Sequence, residues 1–301
     1  MFHIFGFYKF KKLNNLKKIK KILENYLQVY DISGTIIISS EGVNGTISAK
    51  QDYHLKFNIL LKKLLSIKKF NSKNNSTSKF NPFHKSKVKI KREVVPIGFK
   101  VKNYNKPKNN LNPSEWNRII KKNNTVLIDA RKSFEYDVGS FKKSLNPNIE
   151  NFREFPKYLK QFKKSENIAM FCTGGIRCEK ANIYLKKKGF KNVYVLNGGI
   201  INYLNSIDKK NSEWRGECFV FDNRVTVNKN LEKGNYEQCH GCRHPITANE
   251  KKLYSYIKGV SCKYCFNKRS EDQKKSSKIR QDQIDKAEEN NVEHSFKKIS
   301  N

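Results

Sequence analysis

The sequence predicts a chain of mixed α+β and α/β class in three parts, and three observations predict it. Over residues 3–93 the elements run strand, helix, strand, strand, helix, strand. From residue 114 to 199 strands alternate with helices. Beyond that, Cys239, Cys242, Cys262 and Cys265 form two C-x-x-C pairs. A length of 301 residues has room for two small domains, or three with short linkers. With 37% apolar and 30% charged residues, the chain is too apolar for wholesale disorder and lean for one large core.

The first part is justified element by element. His3 to Phe10 alternates weakly, and Leu16, Ile19, Ile22, Leu23, Tyr26 and Leu27 recur at helical spacing. Residues 34–39 are β-branched, Glu41-Gly42-Val43-Asn44-Gly45 supplies a turn, and 46–49 return as a short strand. Leu55, Ile59, Leu60, Leu64 and Leu65 mark a second amphipathic helix. Residues 71–78 read as a polar loop, and 88–95 as the strand that closes the sheet. The order βαββαβ is the ferredoxin-like (acylphosphatase-like) split unit, assigned to residues 1–98. That layout alone names no activity.

Residues 99–113, with Pro107, Pro113 and several Asn, read as a linker. A second domain is assigned to 112–210. Its expected elements are a helix opening at Ser114, a strand over 125–130, a helix over 152–162 and a strand over 168–171. A helix over 179–188 and a strand over 193–196 complete it, ending at Asn197-Gly198-Gly199. Strands alternating with helices imply a parallel sheet covered on both faces, with function at the carboxyl ends of the strands. Trp116 and Trp214 are expected in the core. Residues 217–268 are assigned to a Cys-rich module in which Cys218, among apolar neighbours, is a packed thiol. The charged tail 269–301 lacks apolar periodicity and is expected to be disordered or a fraying helix.

Composition excludes some functions. No run approaches the ~18 apolar residues of a membrane helix. The opening MFHIFGFYKF has no basic residue before its apolar part and no small-residue cleavage site, so it reads as a strand rather than a signal peptide. A cytosolic, membrane-free protein is expected. The net charge of +35 comes from 52 Lys and only 10 Arg, with Asn throughout. Drift in an AT-rich genome produces that composition, whereas specific phosphate forks call for Arg. Either origin gives a field that attracts polyanions.

Seven cysteines in such a chain point to thiol chemistry or metal rather than disulfides. The first site is Phe171-Cys172-Thr173-Gly174-Gly175-Ile176-Arg177-Cys178-Glu179-Lys180-Ala181. A cysteine that ends a buried strand, then two glycines, then a helix, has a physical logic. Gly174 and Gly175 let the loop curl with its amides inward, and those amides with the helix N-terminus stabilise a thiolate or persulfide anion. Arg177 adds a positive charge at the rim. Cys178 either resolves a Cys172 persulfide as an internal disulfide or simply packs. The plain alternative is a tight strand-to-helix turn around a buried thiol.

Leu127-Ile128-Asp129-Ala130-Arg131 with Glu135, the Cys172 loop, and Leu196-Asn197-Gly198-Gly199 together resemble a rhodanese domain. The resemblance implies a persulfide on Cys172, with Asp129 and Arg131 bracing the loop or forming a structural ion pair. With Ser40-Glu41-Gly42-Val43-Asn44-Gly45 ahead of it and Gly216-Glu217-Cys218-Phe219-Val220-Phe221-Asp222 behind, the chain is similar over residues 1–268 to the bacterial tRNA uridine hydroxylases. What that family implies is tRNA modification: hydroxylation of the wobble uridine to 5-hydroxyuridine, with tRNA as partner and molecular oxygen as co-substrate. No haem, flavin or facial-triad iron motif is present, so no organic cofactor is expected, and the donor of electrons or sulfur is not specified. Two alternatives remain. A rhodanese loop by itself predicts a persulfide sulfurtransferase, and an inert loop predicts a non-catalytic, zinc-stapled RNA-binding protein.

Nineteen residues separate the two C-x-x-C pairs, which suits four thiolates at ~2.3 Å around one tetrahedral ion. Cys239, Cys242, Cys262 and Cys265 are therefore candidate zinc ligands in a module too poor in apolar residues to fold without a staple. The spacing also admits an iron–sulfur cluster, and His240 and His244 are alternative ligands.

Overall fold

The computed structural model describes residues 1–102, 104 and 107–292. The first domain runs β1 (Phe2–Phe10), α1 (Leu16–Val29), β2 (Ser33–Ser39), β3 (Gly42–Ala49), α2 (Gln51–Leu64), β4 (Ser72–Ser78) and β5 (Ser86–Ile90). Its sheet has the order β4-β1-β3-β2-β5. The ferredoxin-like unit is present, but β4 closes it rather than residues 88–95. β4 reads Ser-Lys-Asn-Asn-Ser-Thr-Ser and was expected as a loop. It pairs with β1 along its whole length, from Phe2↔Ser78 to Tyr8↔Ser72, because an edge strand needs backbone partners more than apolar side chains. β5 adds a fifth strand parallel to β2 and stops at Ile90. Val94 and Val95 leave the sheet for a core shared with the second domain.

Both faces of this sheet are covered. Phe5 and Phe7 of β1 pack with Ile36, Ile47, Leu23 and Phe57 under the two helices. Tyr8 and Phe10, on the opposite face of the pleat, join Ile128, Met170, Cys172 and Ile176 of the second domain.

The second domain comprises β6 (Asn110–Leu111), α3 (Pro113–Ile120), β7 (Thr125–Asp129), α4 (Ser133–Val138) and β8 (Gly139–Phe141). It continues through α5 (Phe155–Tyr158), β9 (Asn167–Phe171), α6 (Ile176–Lys187), β10 (Asn192–Leu196), α7 (Gly199–Ser206) and β11 (Trp214–Gly216). The parallel sheet has the order β6-β10-β9-β7. β6 lies inside the expected linker and pairs with β10. A capping box between Asn112 and Glu115, with Pro113 in the first turn, starts α3. The expected helix over 152–162 is three short pieces, with 3-10 turns at Phe152–Glu154 and Leu159–Gln161 flanking α5. Pro156 lies in the first turn of α5, where its missing N–H costs nothing. Trp116 and Trp214 are buried, as expected.

The last part contains β12 (Cys218–Phe219), β13 (Thr226–Val227), β14 (Glu237–Gln238), β15 (Pro245–Ile246) and α8 (Glu271–Glu289). The cysteine count groups residues 217–231 with the C-terminal module, but Cys218, Val220, Val227 and Leu231 pack into the second domain with Trp116, Phe171 and Trp214. The segment expected to be disordered or fraying is, over Glu271–Glu289, a helix with a capping box at Ser270 and Gln273. It docks through polar groups: Arg269 donates to Gly241 O and to Ser277 Oγ, and Arg280 donates to Gly259 O at 3.0 Å. Residues 293–301 lie outside the described residues. No helix among the described residues is long and apolar enough to cross a membrane.

Candidate active site and cysteine cluster

β9 ends at Phe171 and α6 begins at Ile176, so Cys172 opens the loop between them. Gly175 caps α6 at φ 94°, a left-handed conformation that glycine adopts without strain. The Gly198-Gly199 turn supports the loop from behind. The Ile200 amide donates to Cys172 O at 3.0 Å and the Ile201 amide to Thr173 O at 3.1 Å. A Cβ on Gly199 would sit 2.4 Å from Cys172 O, so only glycine permits this approach. The expected site thus assembles from the carboxyl end of β9, the start of α6 and the start of α7.

Cys172 is fully buried, and its Sγ accepts a hydrogen bond from the Gly175 amide at 3.2 Å. Burial alone pushes its thiol up. The Cys178 thiol, the Arg177 charge and the amides of Cys178 and Gly175 outweigh that and bring it down to about 6. Cys172 is therefore largely a thiolate at neutral pH. Burial and its hydrogen bond to Cys172 push Cys178 well up, so it stays a protonated donor. Cys172 in the loop and Cys178 on the first turn of α6 are thereby driven apart in their chemistry. Cys218, by contrast, is a core thiol pushed up by burial to about 12.

Arg177 is not a loose rim charge. Its guanidinium grips both oxygens of Glu135 at 3.0 Å each and reaches Thr173 Oγ at 3.3 Å. Glu135 is fully buried; burial raises its carboxyl, but Arg177 more than compensates and holds it below its usual range. Asp129 and Arg131 form a second buried fork, with contacts of 2.8 and 2.6 Å. Its further hydrogen bonds go to Gly139 O and from Ser140 Oγ. Arg131 also lies over Trp214 and Phe171, at 5.2 and 6.0 Å from the ring centroids. Its link to Cys172 runs through the Phe171 ring that precedes it.

Sequence reasoning missed the residues that join the two domains behind this loop. Glu179, on the first turn of α6, is fully buried and accepts from Tyr8 Oη at 2.7 Å, and from Asn71 and Tyr104. Burial and the Glu179 carboxylate push the Tyr8 phenol well up, which keeps it a donor. Lys180, also fully buried, donates to Glu41 Oε1 at 2.6 Å, to Glu93 Oε2 at 2.8 Å and to Val95 O at 2.8 Å. Glu41 accepts in turn from the Val94 and Val101 amides, both at 2.9 Å. In sequence, neighbouring Glu and Lys on a helix look like a solvated face. Their only local clue is their place directly after the Cys172 loop.

The four C-terminal sulfurs all lie within 4.8 Å of one another. Cys242 Sγ is 3.7 Å from Cys262 Sγ, which is 4.0 Å from Cys265 Sγ. Four sulfurs held ~2.3 Å from one tetrahedral ion stand about 3.8 Å apart, so the donor set fits a metal of zinc's size. Four thiolates around one ion would leave no open position on it. The buried core here is small: Cys239, Ile246, Cys262 and Cys265, with Cys242, Tyr256 and Tyr264 packed against it. His244 is not among the clustered ligands; it packs between Phe134 and Tyr264, at 5.1 and 4.4 Å, and docks the cluster onto the second domain. We expect a strong chelator, or Cys242→Ser, to unfold residues 237–268 while leaving the first two domains folded. Protease cutting confined to this module checks the expectation; unchanged resistance after metal removal refutes it.

Comparison with known proteins agrees with this architecture. Residues 2–94 match the UPF0176 acylphosphatase like domain, and residues 112–206 match the Rhodanese-like domain. A tRNA uridine(34) hydroxylase from Pelagibacter ubique (strain HTCC1062) is 55% identical over 299 residues, covering 99% of each chain. Among solved structures, a rhodanese-related protein from Thermoplasma volcanium is 25% identical over 32% of this chain and 89% of its own, with a TM-score of 0.28. A rhodanese-like domain protein from Staphylococcus aureus is 22% identical over 31% of this chain and 88% of its own, with a TM-score of 0.27.

Proposed function

Because the chain belongs to the tRNA uridine(34) hydroxylase family, we propose that it converts the wobble uridine of tRNA to 5-hydroxyuridine in the cytoplasm, and that Cys172 carries the chemistry. The observation behind the assignment is the thiol held near 6 inside a cradle of inward amides, with Arg177 fixed beside it. An anion held this way, as thiolate or persulfide, is a ready nucleophile towards an electron-poor pyrimidine ring. The base has to leave its stack to reach it. Exposed lysines such as Lys17, Lys18 and Lys21 on α1, within a net charge of +35, hold the phosphate backbone non-specifically.

Molecular oxygen is the oxidant in this reading. Placing one of its atoms on the ring and reducing the other to water takes two electrons and two protons. Neither Cys172 nor Cys178 is in a disulfide, and the Cys178 thiol donates a hydrogen bond to the Cys172 sulfur. Closing the Cys172 thiolate and the Cys178 thiol to a disulfide would release two electrons and one proton, with the second proton taken from solvent, so they are candidates for the reductant. Zinc is the metal we assign to the four C-terminal cysteines, away from the reaction.

The test is to supply the purified chain with unmodified tRNA, a thiol reductant and isotopically heavy oxygen gas, then analyse nucleosides by mass spectrometry. The expected product is 5-hydroxyuridine carrying the heavy atom. Label arriving only from heavy water excludes oxygen as the source. The match to the Rhodanese-like domain favours a second reading, persulfide sulfur transfer. It would appear in the same assay as a thiolated nucleoside, or as thiocyanate on adding cyanide, without dependence on oxygen.

A further inference from the structure

A cleft opens where three segments meet: the outer face of β1 and β4, the Cys172 loop, and the turn at 220–224. We propose that this cleft receives the extruded pyrimidine base and that Phe221 is its stacking face. The inference rests on the tRNA reading above and gives it a location. Thr173, the residue after Cys172, lines the cleft, so an occupant lies beside the reactive loop.

The walls suit a flat, polar-edged ring. Phe221 is 66% exposed, although Phe219 and Val220 immediately before it are buried. It meets Phe219 edge-on, at 5.1 Å and 86°, and burial of its own surface does not account for its place. Base stacking on an aromatic face is a general device for holding single-stranded nucleotides. The turn that carries Phe221 is rigid. Arg224 forks onto Asp222 at 2.9 and 2.7 Å and donates to Ser76 Oγ at 2.9 Å, tying the turn to β4.

The floor is left clear by Gly6. Its backbone is not left-handed, and a Cβ there would meet nothing closer than 3.8 Å. Neither conformation nor packing demands glycine at this point, whereas a side chain would project towards Asn74 and Thr46, which line the same cleft. Asn74 and Ser76 place a carboxamide and a hydroxyl at the wall, groups of the kind that match a pyrimidine's carbonyl and imide edges.

The test uses the full chain and an anticodon stem-loop RNA carrying 5-iodouridine at position 34, irradiated and mapped by peptide mass spectrometry. A crosslink on Phe221 is expected. A crosslink elsewhere, or none, overturns the cleft assignment. Hydroxylation of unmodified tRNA by the same preparation is scored alongside. Product without the Phe221 crosslink removes the cleft and keeps the activity; the crosslink without product keeps the cleft and removes the activity. As a kinetic counterpart, Phe221→Ala should raise KM for tRNA about 5- to 100-fold, with Phe221→Trp near wild type. Wild-type KM in Phe221→Ala also overturns the proposal. Because Phe221 is exposed, its truncation does not threaten the fold.

Discussion

Cys172→Ala is expected to lower 5-hydroxyuridine formation by about 10³-fold or more, the order seen when a covalent nucleophile is removed. Nucleoside mass spectrometry of tRNA from cells lacking the gene, complemented with either form, reads the loss directly. The replacement removes one buried sulfur, so a melting curve run beside the assay tells a folding defect from a chemical one. A pH profile separates the thiolate from a merely packed thiol. Alkylation of Cys172 should follow a midpoint near 6, since its folded value is depressed. Arg177→Met should move that midpoint upward, because the charge opposing burial is gone while Cys178 and the Gly175 amide remain. A midpoint near the ~8.5 of an ordinary thiol in the wild type would sink the thiolate assignment. Restoration of product by Cys172→Ala would remove Cys172 from the chemistry altogether.

The shape of the Cys172 loop was legible in the sequence because everything it needs is local. Strand, cysteine, glycines and helix lie within ten residues, and the amides that hold Cys172 belong to its own chain neighbours. The four-cysteine cluster was legible for the same reason, from spacing alone. What escaped reading was long-range, and most of it polar. β4 contains no apolar residue, and its strand state comes from pairing with β1 more than sixty residues earlier. α8 buries Ser277 and Gln281 rather than a hydrophobic stripe, so its helical period carries no apolar signal. Glu179 and Lys180 look exposed until Tyr8, Glu41 and Glu93 arrive from another domain. Val94 and Val95 looked like the end of a strand and are instead the start of the inter-domain core. In each case the deciding partner lies far away in sequence and no local pattern announces it.

Lys180→Met should destabilise the docking of the two domains by about 3–5 kcal/mol, the cost of removing one partner from a buried ion pair. The shape of the side chain is nearly kept, so the loss is electrostatic. Lys180 has three N–H donors and three acceptors, none of them water. Without the ammonium, Glu41 stays buried with two amides but no countercharge. Adding Glu41→Gln should recover part of the deficit, so that the double variant is more stable than the two single costs predict. The pH dependence has a fixed sign. Glu93 is pushed up by burial, but the Ile97 amide and Lys180 outweigh that and lower it. Its contribution is full above the ordinary carboxylate range and fades as pH falls through the lowered value. The gap between wild type and Lys180→Met must therefore narrow in acid. Because α6 carries both Lys180 and the end of the reactive loop, loosened docking also displaces β1 and β4 from that loop. Activity in Lys180→Met should then fall below the melting temperature, while the alkylation midpoint of Cys172, set by its own loop, stays in place. Wild-type stability in Lys180→Met at neutral pH would show that the apolar seam of Tyr8, Phe10, Val94 and Val95 holds the domains together without it.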